Sequence, residues 1–250
     1  MQTRFTTPTV APMADEYELY TTVNDNYNIL IAGRIGAGKS VFEHGMAYNL
    51  LNHYTPEELE MYLIDPKRVE LRDFIGFPHV KGYANTVDDS ILLLEKVESI
   101  MNDRYDYMAR HRGMKMYDGS HIYVFIDELA MLMSKAKKEM TALLENIMFL
   151  GRAALIHVVC CTQAPSRLCL PAQIQQNFTC RVGLWLDDAI DSRQIVKSSG
   201  CELFDGPGKC ILHCGGIHDT FDVPMYTNAH YRLMERYWML GSPISQGVAR

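Results

Sequence analysis

The sequence predicts a doubly wound α/β domain, a mostly parallel sheet with helices on both faces. Three observations carry the prediction. Short apolar runs recur along the chain, each bounded by polar, glycine or proline residues. Near-continuous runs of this kind mark strands covered on both faces. Segments of helical periodicity fill the gaps, as a strand–helix alternation requires. The first run also ends in a glycine-rich loop, a junction at which such folds hold phosphate.

Taken in order, residues 1–22 are rich in threonine and proline, then acidic (Asp15, Glu16, Glu18), and read as a tail. The domain is expected over 23–225, with a C-terminal helix and tail over 226–250. The first strand is YNILIAG (27–33), and a helix follows over Ser40–Leu51. EMYLID (60–65) is the second strand, after a Pro56-Glu-Glu helix-start signal. Val87–His111 is a long amphipathic helix with Ile91, Leu94, Val97, Ile100 and Met101 on one side. HIYVFIDE (121–128) is the third strand and Lys138–Ala153 its helix; LIHVVCCTQ (155–163) and CRVGLWL (180–186) are the fourth and fifth. KCILHC (209–214) and DTFDVP (219–224) read as a closing β pair. Asn228 would cap a last helix that Gly241-Ser-Pro ends.

Composition limits the function. With 48% hydrophobic and 22% charged residues, the 250-residue chain has material for a sizeable core and is not a disordered protein. Its formal net charge of −6 argues against a protein that coats nucleic acid, though not against a basic patch in one loop. The seven cysteines all lie at or after position 160, two of them adjacent. That is a poor disulfide framework and fits a reducing cytoplasm. No signal peptide and no stretch near the roughly 18 apolar residues of a membrane span is present, so membrane attachment would come from a separate partner.

The strongest motif is GRIGAGKS (33–40), which matches G-x-x-x-x-G-K-[ST] between a strand and a helix. Gly33, Arg34, Ile35, Gly36, Ala37, Gly38, Lys39, Ser40 and Val41 would line the nucleotide. Backbone N–H groups and the helix N-terminus would cradle its phosphates. Lys39 would reach the β- and γ-phosphates, and Ser40 would ligate Mg²⁺. IYVFIDE (122–128) places two acids at the carboxyl end of a strand, where open α/β sheets bind ligands. Asp127 would hold Mg²⁺ and Glu128 would polarise an attacking water, unless Asp127 merely caps a helix. Gln163, at the fourth strand's end, is a candidate sensor of the γ-phosphate.

With these elements aligned, the chain resembles the FtsK/SpoIIIE family of DNA-pumping ATPases, within the larger FtsK–HerA group. The resemblance rests on LIAGRIGAGKSV (30–41), LIDPKRVELRDF (63–74), PHV (78–80), RYDYM (104–108), VFIDELAMLM (124–133), GRAALIHVVCCTQAPS (151–166) and DSRQIV (191–196). It spans roughly residues 26–214, and DPKRVEL is its most specific part. It implies a RecA-like core that hydrolyses ATP with Mg²⁺. It also implies a homo-oligomeric ring, usually a hexamer, moving double-stranded DNA through its channel. A neighbouring subunit would supply an arginine finger, with Arg181 the first candidate, Arg193 the second and Arg152 the third. Asp65 and Lys67 of the DPK motif would contact nucleotide or hold the subunit interface.

The chain departs from the family's large members: it has no transmembrane region, no long linker and no winged-helix domain after residue 225. Ala164 replaces an arginine in the family's ATQRPS. These departures favour a small motor of a mobile element, conjugation system or phage, with a protein-secretion motor as the alternative. RYDYMARHRGMKM (104–116) is the richest basic segment, and Arg110, Arg112 and Lys115 are the candidate DNA contacts, against the alternative of a solvated helix end. The Gly206-Pro-Gly turn is a second candidate channel loop. Cys201, Cys210, Cys214, His213 and His218 lack zinc spacing and read as structural.

Overall fold

A computed structural model describes residues 18–163 and 170–226, together with 231, 232, 234–236 and 238. Eight strands form one sheet: β1 (Asn28–Ala32), β2 (Leu59–Ile64), β3 (Val80–Ala84), β4 (His121–Ile126), β5 (Ile156–Thr162), β6 (Cys180–Gly183), β7 (Lys209–Cys214) and β8 (Ile217–Asp222). Their order is β3-β2-β4-β5-β1-β6-β7-β8. All pairings from β3 to β6 are parallel, while β7 and β8 add an antiparallel hairpin at one edge. The helices are α1 (Glu18–Asn24), α2 (Lys39–His53), α3 (Val87–Arg110), α4 (Leu129–Leu150), α5 (Ala172–Gln175) and α6 (Ala189–Val196). A mixed α/β sheet covered on both faces is what the apolar runs predict.

Alternation along the central strands divides the core into two layers. Leu30, Ala32, Ile122, Val124 and Ile126 face α3 and α4, meeting Leu94, Val97, Met101, Leu132 and Leu144. Ile29, Ile31, Met61, Leu63 and Phe125 face the other way, onto Phe42, Met46 and Leu50 of α2 and Tyr20 of α1. β1, β2, β4 and β5 are buried along nearly their whole length, so their sequences read as unbroken apolar runs.

Several elements differ from expectation, among them the closing strand β8, which runs over Ile217–Asp222 and not 219–224. Residues 18–22, assigned to the tail, belong to α1, which buries Leu19, Tyr20 and Val23 against α2. β3 was not predicted as a strand: it is the edge strand, and VKGYA carries an exposed Lys81 and a glycine in place of an apolar run. α4 starts at Leu129, directly after the acid pair, not at Lys138; a break at Ala136 (φ −138°, ψ 50°) divides it. β6 ends at Gly183, three residues early. Asn228 and most of the last helix lie outside the described residues. Of its described positions, Met234 is buried on the α2 face and Trp238 Nε1 donates to Leu51 O at 3.1 Å.

Candidate nucleotide and catalytic site

The carboxyl ends of β1, β5, β4 and β2 lie side by side, and the motif residues meet there. β1 delivers Gly33, where a Cβ would come within 2.9 Å of Leu184 Cβ; only glycine lets the loop pass so close to the segment after β6. Gly36 and Gly38 take φ of 79° and 92°, a conformation that strains any L side chain. The loop thus closes into a tight turn whose next residue, Lys39, opens α2. That helix has no side-chain cap, so its first amide groups remain for an anion. Lys39 is buried and its Nζ donates to the carbonyls of Gly33 (3.0 Å) and Arg34 (3.4 Å). Burial lowers its pKa, partly countered by the neighbouring acids.

The remainder of the loop is held from outside. Arg34 donates its amide to Trp185 O at 2.9 Å, stacks its guanidinium 4.3 Å from the Trp185 ring and pairs with Asp187 at 2.9 Å. Ala37 is buried beneath the loop, while Ile35 (79% exposed) and Val41 (38%) face solvent. The Gly206-Pro-Gly turn, expected as a channel loop, lies at the P-loop: a Cβ on Gly38 would sit 3.6 Å from Pro207 Cβ.

β4 delivers Asp127 and Glu128, both nearly fully buried. Glu128, not Asp127, occupies the N-cap position of α4, and its side chain makes no capping bond. Glu128 Oε1 accepts the Gln163 amide at 3.2 Å, which ties the acid to the end of β5. Its Oε2 accepts from Lys67 Nζ at 2.9 Å, and the same ammonium lies 3.6 Å from Asp127 Oδ2. Burial lowers the Lys67 pKa, but the hydrogen bond to Glu128 and the charge of Asp127 outweigh it and the net direction is up. Asp127 Oδ2 has no hydrogen-bond partner. Burial and the charges of Asp65, Glu70 and Glu128 outweigh the pull of Lys67 and push the Asp127 carboxyl up to about 6. A carboxylate oxygen without a hydrogen-bond partner, close enough to Lys39 and Glu43 of α2 to shift their pKa values, is a hard-oxygen donor that suits Mg²⁺.

One acid escaped the sequence reading. Glu43, one turn along α2 from Lys39, is fully buried and neither of its oxygens finds a hydrogen-bond partner. Burial, then the nearby Asp127 charge, drives its pKa well above the ordinary carboxyl value. The signal was present: it is a lone acid on the inner side of an otherwise apolar helix face.

The arginines separate sharply. Arg181 is 5% exposed, and its guanidinium donates to the carbonyls of Gln175 (2.6 Å), Phe178 (3.3 Å), Ile195 (3.3 Å) and Gln194 (3.4 Å). The guanidinium of Arg181, the first finger candidate, is thus engaged by carbonyls of its own chain. Arg193 on α6 is exposed, and Arg152, just past α4, is exposed beside Tyr27. α3 runs from the carboxyl edge back to the amino edge of the sheet. Arg110, Arg112 and Lys115 therefore lie at the end away from the P-loop, and all three are exposed. Arg104 of the same basic segment is buried, donating to Ala154 O (2.6 Å) and Ser120 Oγ (3.1 Å).

Among the described residues, Cys160, Cys161, Cys180, Cys201, Cys210 and Cys214 are free and buried, and no group of three His, Cys, Asp or Glu is placed to hold a metal. Among the same residues, no helix is long and apolar enough to cross a membrane.

A parallel sheet with a glycine loop entering α2 and an acid pair leaving β4 defines a P-loop NTPase fold. Solved ATPases share this fold. The chain superposes on the pCW3 conjugation coupling protein TcpA, in a monomer form with ATPγS, with a TM-score of 0.71 at 20% identity over 88% of this chain and 66% of that one. The Thermomonospora curvata type VII secretion ATPase EccC gives 0.67 at 22% identity over 80% of this chain and 26% of that one. The FtsK/SpoIIIE family model matches residues 9–220, and the chain belongs to the FtsK/SpoIIIE family. It is 32% identical over 216 residues to the DNA translocase FtsK of Sporosarcina ureae, covering 78% of this chain and 27% of that protein. The Staphylococcus epidermidis DNA translocase FtsK is likewise 32% identical over 218 residues, covering 79% of this chain and 27% of that one. The chain thus spans about a quarter of the length of these relatives.

Proposed function

We propose that this chain hydrolyses ATP with Mg²⁺ and couples the reaction to movement of double-stranded DNA, acting as a homo-oligomeric ring. The observation that carries the reading is the meeting of Lys39, Ser40, Asp127 and Glu128 at one sheet edge, with Asp127 Oδ2 left unpartnered. The glycine loop and first turn of α2 bind the phosphates, and Lys39 exchanges its loop carbonyls for phosphate oxygens. Ser40 and Asp127 would hold Mg²⁺, which supplies charge neutralisation on the phosphates. Glu128, fixed by the Gln163 amide, orients and polarises water. The finger passes to Arg193, which is exposed and reachable by a neighbouring subunit. Arg110, Arg112 and Lys115 remain the proposed DNA contacts.

Duplex DNA is favoured as cargo because the relatives at 32% identity are named DNA translocases, whereas the secretion ATPases among the structural neighbours are at or below 22%. Polypeptide cargo is the second reading, supported by that shared fold. A mobile element, conjugation system or phage is the proposed setting; the conjugation coupling protein TcpA, at 20% identity, shares the fold. Measuring ATP turnover with and without duplex DNA tests the proposal. Turnover stimulated by DNA is expected; turnover indifferent to DNA but raised by a polypeptide would move the second reading ahead, and no turnover would sink both.

A further inference from the structure

The DPKRVEL segment builds a rigid turn with one lysine aimed at the acid pair. Asp65 is fully buried, and its two oxygens accept the amides of Arg68 (2.8 Å) and Leu71 (3.1 Å). The Arg68 amide also donates to Asp65 O at 3.0 Å, and Arg68 takes φ of 63°, a left-handed position that closes the turn. A carboxylate that fixes two amides holds the backbone on both sides of Lys67. The lysine therefore reaches Glu128 from a fixed base.

We propose that Lys67 is a positioning residue that restrains Glu128 in the nucleotide-free subunit and must let go before Glu128 can act on water; this rests on the ATPase reading above. Both oxygens of Glu128 are engaged, Oε1 by the Gln163 amide and Oε2 by the Lys67 ammonium at 2.9 Å. A carboxylate oxygen that accepts from an ammonium is a poor acceptor for a water proton. The ammonium also forms a looser ion pair with Asp127 Oδ2 at 3.6 Å, too long for a hydrogen bond, so Glu128 holds it the more closely and that Asp127 oxygen has no hydrogen-bond partner. A divalent cation at Asp127 would repel the ammonium beside it and loosen its grip on Glu128. The turn that carries Lys67 also presents Arg68, Val69 (62% exposed) and Arg72 to solvent, so the restraint is built into a surface loop.

Two measurements test this. In steady-state hydrolysis without DNA, Lys67→Met should raise kcat by about three- to tenfold with KM for ATP within about twofold, and Lys67→Arg should stay near the wild-type rate. In thermal unfolding without nucleotide or metal, Lys67→Met should lower the midpoint by about 2–4 °C in the wild-type background. It should lower it by less than about half as much in a Glu128→Gln background, since the pair is already broken there. An unchanged or lower kcat in a folded Lys67→Met protein overturns the restraint, as does an equal midpoint shift in both backgrounds. A wild-type chain that does not turn over ATP sinks the ATPase reading whatever the unfolding cycle shows. A wild type that does turn over, with no rise in Lys67→Met, sinks only the restraint.

Discussion

The two edges of the sheet bury polar groups with opposite results. At the amino edge, His157 lies between Tyr27 (4.5 Å) and Tyr123 (4.1 Å), and its two nitrogens meet Asn26 O at 2.8 Å and His121 Nδ1 at 3.0 Å. Burial pushes its pKa down to about 3, so it is a neutral packing element. Arg104 nearby sits over Tyr117 at 4.4 Å and is hydrogen-bonded to Ala154 and Ser120. At the carboxyl edge, Lys39 holds only loop carbonyls. Among the described residues, the buried carboxylate oxygens with no hydrogen-bond partner all belong to Glu43 and Asp127. Unpartnered buried acid oxygens cost stability, and these lie beside the P-loop, where a ligand would satisfy them, whereas His157 and Arg104 at the amino edge are hydrogen-bonded. Asn24 Oδ1 and His79 Nδ1 are the other unpartnered buried side-chain atoms among the described residues.

That contrast breaks most forcefully at the P-loop and acid pair. Lys39→Ala should lose all turnover and most nucleotide affinity, read by ATP binding and steady-state hydrolysis. Glu128→Gln should keep ATP binding but lose about 10²–10⁴-fold in turnover. A wild-type rate in that variant would remove Glu128 from the mechanism.

The next test separates the arginines. Arg181→Met leaves four carbonyls short of a donor and should cost about 3 kcal/mol or more of stability in denaturant unfolding. Arg193→Ala should change stability by less than about 0.5 kcal/mol. As a finger, it should lose about 10³-fold in turnover and recover some activity when mixed with Glu128→Gln subunits. A stable Arg181→Met protein with a selective loss of turnover would reverse this assignment.

Glu43 gives a smaller, pH-dependent effect. Its pKa is raised on folding, so the folded state must take up a proton that the unfolded chain gives up above its ordinary value near 4.5. The cost is absent below that value and grows as pH rises toward the folded pKa. Glu43→Gln should therefore stabilise the protein by about 1 kcal/mol or more at pH 7 and by nothing at pH 4, measured as unfolding midpoints. The same gain at both pH values would mean that packing, not protonation, is responsible.

The mildest test concerns the exposed cations at the amino edge. Neutralising Arg110, Arg112 and Lys115 together should leave basal hydrolysis intact. It should flatten the salt dependence of duplex binding, by up to about one unit of slope per lost phosphate contact. An unchanged slope would make the segment a solvated helix end.

What could be read from the chain follows the same division. Strands β1, β2, β4 and β5, buried on both faces, announced themselves as apolar runs, and the glycine loop and acid pair sit at their ends. β3 lies at the edge and carries Lys81 and Gly82, so no run betrayed it. The first helical turns of α4 hid behind the acid pair. The burial of Arg181 was not legible, because an arginine opening a strand looks alike whether it meets solvent or four carbonyls; only tertiary packing distinguishes them. Glu43 and Lys67 have meaning only through what they face across the sheet edge.

The grip of Trp185 on Arg34 has a practical consequence. The chain has two tryptophans, and Trp238 is tied by its indole N–H to Leu51, at the far end of α2. Trp185 alone stacks on a residue of the phosphate loop. The molecule thus carries its own fluorophore against the phosphate loop. Any shift of Arg34 as phosphate enters would change the quenching of that indole, so intrinsic emission would report loading of the site in real time, without a label.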